Sequence, residues 1–61
     1  MTGADLQAVL DRARISQRQL AEDLELSPQT VNKWVNYGFP IKRVHECAIL
    51  FVLVRRGVMP P

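Results

Sequence analysis

Three side chains near the middle of the chain carry the clearest capacity for chemistry. Gln29, Asn32 and Lys33 are three and four positions apart, which places them on one face of a helix. Each carboxamide offers a donor and an acceptor side by side, the pair that matches the N6 and N7 edge of adenine. The ammonium can donate to guanine O6 and N7. Pro28 stands immediately before this set, Thr30 lies within it, and Asn36 follows one turn after Asn32. Gln17 opens the preceding helical pattern, where a side-chain amide and free N–H groups suit a phosphate. A solvated helix face is the plain alternative for Gln29, Thr30 and Asn32, and an ordinary surface charge for Lys33.

Such a polar set can read bases only if rigid elements push it outward. Leu6, Val9, Leu10 and Ala13 recur at helical spacing and predict a first helix over 4–13. Ser16 is placed to cap a second, with Gln19 completing a capping box and Ile15 acting as a staple. Leu20, Ala21 and Leu24 give that helix its apolar stripe, and Ala21 is small enough for close approach where helices cross. Glu25-Leu26 makes the turn. Ser27 is then an N-cap and Pro28 the first helical position of a third helix, which runs to about Asn36. Val31, Trp34 and Val35 face inward on it. Tyr37 and Phe39, flanking Gly38, are expected to cover the core between the third and fourth helices.

The C-terminal third admits two shapes. Pro40 can open a fourth helix that reaches Arg55 or Arg56, with Gly57 as its stop. Val44, Ala48, Phe51 and Val54 continue one stripe along it. Ile49 and Leu53 form a second stripe beside Leu50 and Val54, which is more apolar surface than one small core needs. The alternative is a strand over 49–54, because Ile49-Leu-Phe-Val-Leu-Val54 lacks a polar interruption and is rich in β-branched residues. Either shape leads to a dimer with Ile49, Leu50, Leu53 and Val54 at the interface. Cys47, alone in the chain, reads as a small buried thiol, and His45 has no second histidine or cysteine pair with which to build a zinc site.

Composition narrows the function. A 61-residue chain supports one small domain whose core is marginal, so a second copy would add stability. The formal net charge is +2, but residues 28–61 carry Lys33, Lys42, Arg43, Arg55 and Arg56 against Glu46 alone. Residues 1–27 are acidic on balance. A cationic half suits a polyanion, and Lys42 and Arg43 could clamp a flanking phosphate. Arg55 and Arg56, in a last turn, suit the helix dipole. No nucleophile–base set or phosphate loop appears, so the chain does not read as an enzyme, and no cofactor is implied. The six consecutive apolar residues from Ile49 to Val54 are far too few to span a bilayer. A polar N-terminus argues for a cytoplasmic, nucleoid-associated protein with no membrane or small-molecule partner.

Residues 16–36 resemble the phage repressor and Cro-type helix-turn-helix family, lambda-repressor-like, and residues 5–56 do so more loosely. Gln17 resembles the glutamine that touches the phosphate backbone there, Ala21 the small residue, Leu26 the apolar residue after the turn, and Val31 and Trp34 the inward positions. The resemblance implies base contacts from Gln29, Asn32, Lys33 and Pro28, and backbone contacts from Gln17 and Asn36. Thr30, Lys42 and Arg43 are further phosphate candidates. One departure is Glu25, where the family usually has glycine; a left-handed glutamate costs roughly 1 kcal/mol. The fold implied is an all-α domain of four to five helices over 1–61, with the motif at 17–36 and a dimerising segment at 40–56. The function implied is that of a homodimeric, Cro-like repressor on a pseudo-palindromic operator. Alternatives are the DNA-binding domain of a larger repressor, an excisionase-like architectural protein and an antitoxin-type interaction module.

Overall fold

A computed structural model describes residues 1–58, so the last three positions of the expected domain lie outside the described residues. Four helices follow one another: α1 (Gly3–Ala13), α2 (Gln17–Leu24), α3 (Pro28–Asn36) and α4 (Arg43–Arg55). No strand occurs among the described residues. The segment 49–54 is therefore helical, and the strand alternative falls. A lone strand would leave its backbone groups without partners, whereas a helix satisfies them internally.

Capping boxes fix where α1 and α2 begin. Ser16 Oγ accepts from the Gln19 N–H at 3.0 Å, and Gln19 Oε1 accepts from the Ser16 N–H at 3.0 Å. Thr2 and Asp5 make the same reciprocal pair at the start of α1. Ser27 occupies the N-cap of α3 as its position implies, but its side chain makes no capping bond. Instead Ser27 Oγ lies 3.2 Å from Thr30 Oγ1.

Three helix ends close by one device. The N–H groups of Ile15, Leu26 and Val58 each reach back five residues, to Leu10, Ala21 and Leu53 carbonyls, at 2.9–3.0 Å. The residue before each adopts left-handed backbone: Arg14 at φ 59°, Glu25 at φ 58° and Gly57 at φ 74°. This is the Schellman arrangement, in which the residue past the bend folds its apolar side chain inward. Ile15 is buried, and Leu26 and Val58 pack against the core.

The core holds Leu6, Leu10, Ile15, Leu20, Ala21, Val31, Trp34, Ile49 and Leu53. Burying a side chain of the leucine or isoleucine class stabilises by roughly 1.5–3 kcal/mol. α2 packs against both α3 and α4, and α1 lies against α3. Contact between α1 and α3 is close enough that a Cβ on Gly3 would come within 1.9 Å of the Trp34 carbonyl oxygen. The Trp34 and His45 rings, 5.2 Å between centroids, join α3 to α4. Arg56 closes the other end, with Nη2 and Nε both 2.6 Å from Asp23 Oδ2 on α2.

Several expectations for the C-terminal third need correcting. α4 starts at Arg43 with Lys42 as its N-cap, not at Pro40. Tyr37 and Phe39 N–H groups both end on the Lys33 carbonyl, and the following chain stays non-helical while Ile41 turns toward the core. Tyr37 and Phe39 are themselves exposed rather than covering that core, as is Cys47. Most important, Ile49 and Leu53 are the inward residues of α4, both at 0% exposure. They cannot form a dimer interface. The outward apolar residues are Val44 and Phe51, at 68% and 61% exposure, with Leu50 and Val54 half-buried beside them.

Candidate nucleic-acid interface

The candidate site follows from how α3 is held. Val31 and Trp34 are inserted in the core between α1, α2 and α4, so the opposite face of α3 must point to solvent. Pro28, Gln29, Lys33 and Asn36 are exposed there, while Thr30 and Asn32 are half-buried. Pro28 at the first helical position costs no hydrogen bond and presets the entry angle. The turn before it contains no glycine. Glu25 takes the left-handed conformation directly, and its N–H reaches the Glu22 carbonyl at 3.1 Å.

Side-chain contacts order much of this face. Asn36 Nδ2 donates to Asn32 Oδ1 one turn earlier. Lys33 Nζ sits 5.8 Å from the centre of the Phe39 ring, close enough for the ring's negative face to hold the ammonium near the end of α3. Among the described residues nothing restrains Gln29 in either way. It is the free carboxamide of the row.

Gln17 lies at the first position of α2, half-buried, and its amide is oriented by α1. Its Nε2 donates to Gln7 Oε1 at 3.0 Å, and Gln7 Nε2 donates in turn to Asp11 Oδ1 at 2.6 Å. An amide nitrogen has two hydrogens, so Gln17 keeps one to give to a phosphate. Nothing in the sequence pattern marks Gln7 for this role, because it acts across a helix–helix contact. Lys42 and Arg43 are exposed at the start of α4, separated from α3 by the loop 37–41.

Chemically, the surface can present amide donors and acceptors, a hydroxyl and an ammonium to a polar edge, flanked by cations and one oriented amide. That inventory suits base edges bounded by phosphates. Of the residues singled out in the sequence, α3 brings together Pro28, Gln29, Thr30, Asn32, Lys33 and Asn36. The partners Gln7 and Phe39, and the bond between Asn32 and Asn36, emerge only from the folded chain.

Residues 6–36 match the family model described as winged helix-turn-helix DNA-binding. The match runs from within α1 to the end of α3. No curated protein and no solved structure matches the chain.

Proposed function

The chain belongs to the winged helix-turn-helix DNA-binding family, and from that premise we propose that it is a homodimeric transcriptional repressor of Cro-like action on a two-fold symmetric operator. The observation that carries the reading is the division of α3. Val31 and Trp34 anchor it, and Gln29, Asn32 and Lys33 are left for base edges in the major groove. Pro28 adds an apolar contact of the kind a thymine methyl accepts. Gln17, Thr30, Lys42 and Arg43 hold the phosphates on either side.

Size supports a second copy. The longest dimension is 28 Å, whereas successive major grooves on one side of the duplex are about 34 Å apart. One molecule reads one half-site. The outer face of α4, with Val44, Leu50, Phe51 and Val54, is the surface on which two copies would meet. Repression then works by occupancy, the bound dimer covering a promoter. No helix among the described residues is long and apolar enough to cross a membrane.

Selection of bound sites from random duplex DNA tests the proposal directly. A two-fold symmetric site whose binding weakens steeply with added salt is the expected result. An unsymmetric site points to the DNA-binding domain of a larger repressor or to an architectural role. Lack of any enrichment sinks the operator reading and favours a protein-interaction module.

A further inference from the structure

Linked hydrogen bonds run from α1 to the start of α2. Gln17 Nε2 donates to Gln7 Oε1 at 3.0 Å, and Gln7 Nε2 donates to Asp11 Oδ1 at 2.6 Å. The second bond spans one turn of α1, a spacing at which glutamine and aspartate pair on a helix surface. A pair of carboxamides can turn over together unless something at one end tells donor from acceptor. Asp11 does so, because a carboxylate only accepts. Turning the amides over would set the Gln7 oxygen against that carboxylate, acceptor on acceptor. The Gln7 nitrogen is therefore held toward Asp11 and its oxygen toward Gln17, so the Gln17 NH2 must face α1. Gln7 and Gln17 are half-buried where the helices meet, which limits the water that could replace their bond.

Stability alone gives little reason for an acid here. Asp11 is exposed in the last turn of α1, where the carbonyl end of the helix disfavours negative charge. It is also linked through Gln7 to the side chain proposed to meet a phosphate, where a bystander carboxylate would repel DNA. We propose that Asp11 is a positioning residue for DNA binding: acting through Gln7, it turns the donor end of Gln17 to a backbone phosphate. The proposal rests on Gln17 being a phosphate contact of a DNA-binding surface. One hydrogen of the Gln17 NH2 goes to Gln7 and the other to a phosphate oxygen. Without the relay the amide presents its own oxygen there as readily as its nitrogen. An acid thus strengthens the hold on a polyanion. Phosphate contacts carry no direct sequence information, so the effect of Asp11 falls on affinity and not on site choice.

The test uses the duplex site recovered by selection with the wild-type chain, titrated at one fixed salt concentration. The variants are Gln17→Ala, Asp11→Ala, Asp11→Asn and the double variant Asp11→Ala with Gln17→Ala. Melts followed by helical circular dichroism check that each is folded, and Asp11→Ala should keep a melting temperature near wild type. Asp11→Ala should weaken binding by about threefold to tenfold, the range one hydrogen bond commands, and a repeated selection should return the same site. Asp11→Asn keeps an oxygen but can turn over, so its affinity should fall between wild type and Asp11→Ala. On the Gln17→Ala background Asp11→Ala should no longer weaken binding, because nothing is left to position. Tighter or unchanged binding by Asp11→Ala would mark the acid as a bystander and overturn the proposal. Equal weakening on both backgrounds would overturn it too. If Gln17→Ala binds as tightly as the wild type, the phosphate contact fails and the proposal with it, while the operator reading stands. A wild-type chain that selects no site brings down both.

Discussion

Arg14 and Glu25 hold a backbone conformation that L-residues adopt at a cost, at φ 59° and 58°. Gly57 occupies the equivalent position after α4 without that cost. Glu25→Gly should therefore raise stability by about 1 kcal/mol, read as a higher denaturant midpoint with an unchanged slope. A lower midpoint would mean that the glutamate side chain contributes more than the strain removes. The departure at Glu25 is legible in the sequence because the positions around it place the turn. The bond between Asn32 and Asn36 is not, since either carboxamide could equally face water. Cys47 shows a different failure. Its apolar neighbours suggest burial, yet its place on α4 is opposite Ile49 and Leu53, and the helix turns it outward.

Among the elements, α2 and α3 are the most legible, because Ser16, Gln19, Ser27 and Pro28 mark their starts and the apolar stripes agree with the caps. The Thr2–Asp5 box follows the same local rule, and it begins α1 at Gly3. Here the Thr2 N–H, and then its hydroxyl, hold the Asp5 carboxyl below its ordinary range. A carboxyl lowered in the folded state stabilises fully above its unfolded value, and the benefit is lost as pH falls through the folded one. Asp5→Asn should thus flatten the decline of melting temperature below about pH 4. Parallel acid profiles for the two proteins would show that the box carries no pH-dependent stability. The start of α4 is misread from sequence because Pro40 suits a helix start by itself. The conformation at 37–42 instead follows from where α3 ends and where Ile41 packs.

For the molecule as a whole, the inward side of α4 is decided by its neighbours. Its apolar run lacks a polar residue from Ile49 to Val54, so periodicity alone leaves its rotation open. Packing against α2 settles it, with Ile49 and Leu53 inside. Two substitutions two residues apart should consequently behave in opposite ways. Leu53→Asp buries a charge in a small core and should unfold the domain, seen as loss of helical circular dichroism. Phe51→Asp lies on the outer face and should leave the helical signal near wild type and, for the proposed dimer, halve the sedimenting mass. If the wild type sediments as a monomer the proposed dimer fails, and if the Phe51→Asp protein sediments like a dimeric wild type the copies meet elsewhere.

Gly3 gives the fold a lever. Nine residues make α3 about 13.5 Å long, and Gly3 bears on the carbonyl of Trp34 near its far end. Adding one methyl there displaces that end, and a displacement of about 1.5 Å would swing the helix axis by roughly 6°. The residues proposed to read bases would then arrive at a new angle with their identities unaltered. If α3 reads DNA as proposed, base preference is thus adjustable from a position outside the proposed contact surface. Gly3→Ala should redistribute base preferences across the half-site, and an unchanged selected site would show that α1 gives way instead.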